Sequence, residues 1–447
     1  MIEIVYFYKI VAGFWLQVYM KDRYLNIRPF WFFFIFLVLP KISLFDFSQS
    51  LYAQDQWKIM SFVNPRAKTV SFPFKFINNL IIIPVIINDS DTLHFILDTG
   101  LSTTIMTELS MGDTLSLMYS RQVKLKGLGE GEPVDAIHSY GNIFYISGIK
   151  GINQDLLILL QNVFNLSSIF GTRVHGLMGY NIFRNFIVEI DYHHKIISFH
   201  NPEYYKPRRK RKRTITLPLT IHNTKPYLVG TIILADNTEV PVKLLLDTGA
   251  SHALWLDTKS HPGLKFPEKV ADSYLGRGLS GDIYGKLGKI HGFSLGGFFF
   301  SSPIVAFPDS ASVGNSSGLD DRNGSLGSEI LRRFHVIIDY PNKQITFTPN
   351  NNFKNPFKLN RSGIDLEAPI PELPYYIISN IRKESPADRA GLKKGDELQY
   401  INNKNIRLLT INDIYNIFQD KAGKKIKLTI SRGVFSFKVI LYLEDFI

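Results

Sequence analysis

Short runs of alternating apolar and polar residues, bounded by Asn, Asp, Gly and Pro, occupy most of the chain. That punctuation predicts strands joined by tight turns rather than long helices. Residues 74–87 and 214–234 are rich in β-branched and aromatic types and read as strands. Segments 187–190 and 196–199 flank His193-His194, and segments 336–338 and 345–347 flank Pro341-Asn342. Each group reads as strand, turn, strand, with Pro341 pre-setting the second turn. Before Asn360, helices are expected at 181–186 and 329–334, about two turns each.

The texture changes from about Asn360. Ser385 is placed to cap a short helix that has Pro386 at its first position and Gly391 closing it. Gly395-Asp396 turns into an alternating strand at 397–401, and Asn402-Asn403 turns again. Thr410 can cap a helix that sets Ile411, Ile414 and Phe418 on one face. Strands at 426–431 and 434–443 flank Arg432-Gly433.

Before Asn360, the chain contains one pattern twice. Phe95-Ile96-Leu97-Asp98-Thr99-Gly100-Leu101-Ser102 recurs 149 residues later as Leu244-Leu245-Leu246-Asp247-Thr248-Gly249-Ala250-Ser251. Gly176-Leu177-Met178-Gly179 recurs 148 residues later as Gly324-Ser325-Leu326-Gly327. Residues 175–200 set against 323–348 share twelve identities, among them Arg184/Arg332, Phe186/Phe334, Asp191-Tyr192/Asp339-Tyr340 and Phe199/Phe347. An offset that shifts by one residue over about eighty positions marks a duplication.

The net charge of +12 is local. Seven positive charges lie in residues 206–213, between the copies, and residues 1–53 add a net two. Only three remain for the rest of the chain, so the run reads as a solvated linker and nucleic acid is not an expected partner. Peripheral contact with an anionic membrane surface is the other reading of the run. There are no cysteines, which excludes disulfides, thiolate metal sites and Cys nucleophiles. Lys21, Arg23 and Arg28 precede ten apolar residues at 30–39, and Ser50-Leu51-Tyr52-Ala53 offers a small residue for cleavage. Residues 1–53 therefore read as a secretory signal peptide or an uncleaved N-terminal anchor, with 1–19 an extension if Met20 is the start. Either form exports the rest to a periplasm or cell envelope.

Two Asp-Thr-Gly triplets, each after three apolar residues, point to paired carboxylates. The apolar residues make a buried strand that ends rigidly at Asp98 or Asp247. Thr99 and Thr248 supply short hydroxyls that can bond across to the other copy, and Gly100 and Gly249 let backbones approach closely. Two adjacent carboxylates cannot both ionise cheaply, so they share one proton. The ionised member can then take a proton from water while the protonated one polarises a carbonyl. No cofactor is expected. No metal is expected either, since no His or Asp cluster has ligand spacing. His193-His194 reads as a turn, and His252 as a surface or subsite residue.

At these residues the sequence resembles the aspartic proteases, especially the retropepsin-like branch. The resemblance implies a mostly β fold: two homologous acid-protease-like β-barrel lobes related by pseudo-two-fold symmetry, at 71–204 and 214–352, joined by the basic linker 205–213. It implies that Asp98 and Asp247 are catalytic, with Thr99, Gly100, Ser102, Thr248, Gly249 and Ser251 supporting them. It further implies that Met178-Gly179 and Leu326-Gly327 pack behind the aspartate loops. Glycine-rich flaps are expected at Gly127, Gly129 and Gly131 in one copy and at Gly276, Gly278 and Gly281 in the other. Departures exist. No flap tyrosine of the pepsin kind lies near Gly127, and Leu101 and Ala250 stand where pepsins carry a hydroxyl. Losing that hydrogen bond implies a less acidic pair and a pH optimum nearer neutral than that of pepsins. Leu101 could also crowd the first aspartate.

The run Ser385-Pro386-Ala387-x-x-Ala390-Gly391-Leu392-x-x-Gly395-Asp396 resembles bacterial-type PDZ domains, which implies a small α+β domain at 360–447. In that family an extended peptide end adds as a strand beside a helix. The carboxylate-binding loop is expected near Leu373-Pro374-Tyr375-Tyr376, although that stretch lacks the usual alternation of Gly and hydrophobic residues. Together these readings predict a monomeric, exported endopeptidase whose PDZ domain recruits or gates peptide substrates. The alternative is a non-catalytic peptide-binding scaffold that retains the protease fold.

Overall fold

The computed structural model describes residues 59–109, 114–129, 131–207, 213–309 and 322–447. The predicted leader at 1–53 lies outside the described residues, as do positions 208–212 of the basic run. Among the described residues no helix is long and apolar enough to cross a membrane. The fold is mostly β, arranged in four sheets of nine, six, ten and six strands.

The nine- and ten-stranded sheets are β-barrel sheets whose central strands are buried on both faces. That burial is why Leu80–Ile87 and the end of Glu239–Leu246 are nearly continuous apolar runs. In the first sheet, Gly176–Met178 inserts parallel to Leu93–Leu97 and antiparallel to Thr104–Met106. In the second, Gly324–Leu326 lies parallel to Glu239–Leu246 and antiparallel to Leu254–Leu256. The long strands expected at 74–87 and 214–234 are each interrupted. Asn78-Asn79 and Asn223-Thr224 adopt positive φ and turn the chain tightly, as short polar residues tolerate better than branched apolar ones.

Between them lies a six-stranded sheet built from both copies. Its order is Ile215–Pro218, Gln344–Pro349, Phe334–Asp339, Ile187–Asp191, Ile196–His200, Thr69–Pro73. At its centre Ile187–Asp191 pairs antiparallel with Phe334–Asp339, Val188 opposite Ile338 and Ile190 opposite Val336. The repeated phenylalanines pack within each copy: Phe186 meets Phe199 at 5.9 Å, and Phe334 meets Phe347 at 5.1 Å, both edge-on. Each such pair contributes about 0.5–1.5 kcal/mol beyond its buried area. One continuous hydrophobic core includes residues of both copies. Both expected helices are shorter than two full turns: Tyr180–Asn185 in the first copy and Ser328–Leu331 in the second.

The fourth sheet, ordered Ile364–Glu367, Tyr376–Ile381, Glu397–Ile401, Lys425–Arg432, Phe435–Tyr442, has its own core with Phe418 and Ile414 at zero exposure. Ser385 caps Pro386–Arg389 by accepting from the Asp388 amide. Thr410 and Asp413 form a reciprocal capping box that starts helix Ile411–Phe418. Residues 368–372 dock on the first barrel sheet's side, where the Ala368 and Glu372 amides donate to Ser168 and Gly171 carbonyls at 2.7 and 3.0 Å.

Candidate active site

Leu93–Leu97 and Glu239–Leu246 end at Asp98 and Asp247, and a crossed set of hydrogen bonds fastens the two loops. The Thr99 hydroxyl donates to the Leu246 carbonyl at 2.6 Å and accepts from the Thr248 amide at 3.0 Å. The Thr248 hydroxyl donates to the Leu97 carbonyl at 2.8 Å and accepts from the Thr99 amide at 3.0 Å. Both threonines are fully buried, so all four bonds are made away from water. From behind, Met178 and Leu326 carbonyls accept from the Asp98 and Asp247 amides at 2.8 and 3.0 Å. The Ser328 hydroxyl donates to the Thr248 carbonyl at 3.1 Å.

This clamp brings the carboxylates together. Gly100 and Gly249 amides donate to the Oδ1 atoms of their own aspartates at 2.7 and 3.0 Å. A Cβ on Gly249 would lie 2.5 Å from Asp98 Oδ2, and one on Gly100 would lie 3.6 Å from Asp247 Oδ1. Only glycine permits that approach at position 249. Burial and then the charge of Asp247 push the Asp98 carboxyl up to about 8. Burial also raises Asp247, against the nearby Arg322 charge and the Gly249 and Ala250 amides. The loops differ here: the Leu101 amide donates to the Asp98 main-chain oxygen, whereas the Ala250 amide reaches the Asp247 carboxylate. The pair therefore retains a proton more readily than two separate carboxylates would, and titrates as a unit.

Two hairpins lie one in each of the larger sheets. Tyr119–Leu125 pairs with Val134–Ile146, and Val270–Gly278 pairs with Gly281–Lys289. Their tips touch: the Ser280 amide donates to Leu128 at 2.8 Å, and Gly131 donates to Ser280 at 2.5 Å. The Gly127 amide meets the Ser280 hydroxyl at 3.1 Å. Gly129, at φ +112°, has no room for a side chain against Gly281. Gly276 and Gly278 lie on the rising strand of the second hairpin. Ser102 hydrogen-bonds the Thr224 hydroxyl at 2.5 Å, and the Ser251 carbonyl accepts from Asn79 at 3.0 Å. Each aspartate loop thus touches the Asn-bearing turn of the other copy.

Sequence reasoning did not pick out Tyr340 or Lys225. The buried Tyr340 hydroxyl donates to the Thr99 carbonyl at 3.5 Å, and burial and then the Asp98 charge push it well up. Lys225 contributes positive charge to both aspartates. The repeated Asp-Tyr pair was the signal for Tyr340; Lys225 had none.

In the C-terminal sheet the strand that follows the expected carboxylate-binding loop is not an edge strand. Tyr376–Ile381 is paired on both edges, with Ile364–Glu367 and with Glu397–Ile401, so no peptide can add there. Tyr376 points its hydroxyl into the core at the Leu409 carbonyl, Tyr375 bonds Glu397, and Leu373-Pro374 lie in the loop before the strand. The outer edge strand is Ile364–Glu367, and it faces helix Ile411–Phe418. There the Leu366 amide donates to the Tyr415 hydroxyl at 3.0 Å, and the Asn360 side chain caps the Ile364 carbonyl at 2.7 Å. Gly363, at φ +80°, followed by alternating Ile364 and Leu366, was the legible signal for this edge.

Residues 377–432 match the family model described as PDZ domain. The chain carries a C-terminal PDZ domain. The match spans strand Tyr376–Ile381 to strand Lys425–Arg432 and includes both capped helices. PDZ domains bind peptide or protein partners. No curated protein matches the chain.

Proposed function

We propose that this protein is an aspartic-type endopeptidase in which Asp98 and Asp247, one from each of two lobes related by pseudo-two-fold symmetry, activate a single water. The crossed Thr99–Thr248 hydrogen bonds carry this reading, because they fasten the two aspartate loops against each other in a single chain. The ionised Asp247 takes a proton from water as its oxygen attacks the scissile carbonyl carbon. Protonated Asp98 donates to the carbonyl oxygen, giving a neutral tetrahedral diol. Collapse returns one proton to the leaving amine and restores the shared proton of the pair. The substrate lies extended beneath the two hairpins, whose tips part to admit it. Because both aspartates belong to one chain, a monomer is sufficient, and no cofactor enters the cycle. Export to a periplasm or envelope fits the leader-like residues 30–53.

A second reading is a peptide-binding scaffold without hydrolysis. The closed contact between Leu128 and Ser280 favours it, as does the PDZ match. Calorimetric titration with a statine-type mimic of the tetrahedral diol separates the two. Tight binding by the native chain, lost in Asp98→Asn and in Asp247→Asn, supports the peptidase. A chain that binds extended peptides but not the mimic supports the scaffold.

A further inference from the structure

A cleft of about 1290 Å³ separates the PDZ domain from the second aspartate loop. It is larger than the pockets that hold small molecules, and its walls combine Phe76, Tyr274, Tyr284 and Phe357 with the side-chain amides of Asn380 and Asn416. Such a wall suits a polypeptide, whose backbone needs amide partners and whose side chains need apolar cover. Its lining includes Gly363, Asp365 and Tyr415, at the PDZ edge strand and its helix. It also includes Ser251, His252 and Ala253, just after the Asp247-Thr248-Gly249 triplet. The Asn78-Asn79 turn links the two groups: the Asn78 amide donates to Asn412 Oδ1 at 3.2 Å, and Asn79 donates to the Ser251 carbonyl and to Glu329 Oε2.

The charges along this cleft are unbalanced. Most of its acids are already engaged: Glu329 pairs with Arg332 and Arg333, Asp272 with Lys286, and Glu444 with Arg389. Asp365 accepts from Asn380 at 2.9 Å, and its burial disfavours the charged form. Among the described residues neither Asp365, which feels the charge of Arg382, nor Glu384 makes an ion pair, and of the two Glu384 is the exposed acid. Against it stand Lys358 and Lys383, neither of which makes an ion pair among the described residues, and Arg382. Arg382 spends one nitrogen on the Asn360 carbonyl at 3.3 Å, stacks on Phe446, and leaves Nη2 buried with no partner. An orphaned guanidinium donor in a cleft is a group waiting for an acceptor. Three cations spread along a polypeptide-sized cleft call for several carboxylates rather than one.

We propose that this cleft binds an extended polypeptide segment rich in Asp and Glu side chains, and so presents acidic substrates to the dyad. This rests on the peptidase reading for its purpose but not for its binding chemistry. The substrate's acidic stretch lies against Lys358, Arg382 and Lys383, and the chain continues past Ser251 toward Asp247.

The test uses the full chain carrying Asp98→Asn and Asp247→Asn, so that probes survive intact. Fluorescence anisotropy follows fluorescein-labelled Ala/Ser peptides with amidated ends, one bearing four glutamates and its twin four glutamines. The expected result is roughly tenfold tighter binding of the glutamate peptide. Lys358→Glu with Lys383→Glu, both at exposed positions, abolishes that difference. Equal affinity of the twins, or a preference that survives the double charge reversal, overturns the proposal. So does tightest binding by the glutamine peptide with a free end, which would assign the cleft to chain termini. If the native chain cleaves both twins equally, the acidic preference fails while the peptidase stands. If it binds the glutamate peptide selectively and cleaves neither, the peptidase fails while the site stands.

Discussion

Thr99 and Thr248 each give a hydroxyl proton to the strand that carries the other copy's aspartate, at 2.6 and 2.8 Å, and each accepts the other's amide at 3.0 Å. Thr99→Val keeps the shape but orphans the Leu246 carbonyl and the Thr248 amide, both buried. Urea denaturation should show a loss of about 2–5 kcal/mol, with most of it recovered in Thr99→Ser. A loss under about 1 kcal/mol would mean that the crossed bonds do not hold the loops.

Asp98 supplies a pH dependence of known sign. Its folded pKa of about 8 lies above the unfolded value, so its favourable contribution is full below about pH 4 and disappears as pH rises through 8. Native stability should fall by a few kcal/mol across that window. Asp98→Asn should flatten the profile and be the more stable chain at neutral pH. Melting curves that fall in parallel for both proteins contradict this assignment of the proton.

Glu189 sits in the shared sheet between His200 and His335, at 2.9 and 2.8 Å, and Thr69 bonds the far nitrogen of His200. Burial works to raise Glu189, but the two histidine hydrogen bonds overcome it and hold the carboxyl well below its usual range. Its contribution is therefore present above the unfolded value near pH 4 and is lost as pH falls through the folded one. Glu189→Gln should cost about 2–4 kcal/mol at neutral pH and less in acid, read by denaturant titration at both. Equal costs would remove the charge from the explanation.

Tyr415 occupies the donor that strand addition at the PDZ edge would use. Tyr415→Phe releases the Leu366 amide, so peptide affinity should rise several-fold while the domain loses about 1–3 kcal/mol for a buried donor without a partner. Calorimetry and thermal melting on the same preparation check the pair of effects. Affinity that falls with stability shows that Tyr415 shapes the groove rather than plugging it.

Much of this was legible in the chain because the repeat pairs the same residue types twice. The apolar runs before Asp98 and Asp247 announced buried strands, and Ser385 and Thr410 announced their helices by cap chemistry. What stayed hidden depended on long-range placement. The Asn79 contact to Ser251 spans 172 residues and Glu329 contacts the same side chain, which no local pattern reports. The carboxylate-binding loop was expected at residues 373–376, but the strand Tyr376–Ile381 that follows is paired with neighbours on both of its sides, which only the tertiary arrangement reveals. Arg382's orphaned nitrogen is likewise a property of what surrounds it, not of its neighbours in sequence.

The most direct measurement is digestion of a diverse peptide mixture by the chain beginning at Gln54, from acid to neutral pH, beside Asp98→Asn and Asp247→Asn. The shared-dyad account predicts cleavage by the native chain, loss of cleavage in each variant, and inhibition by a statine-type mimic. Cleavage that survives both substitutions, or its complete absence in a folded native chain that still binds peptide, would contradict it.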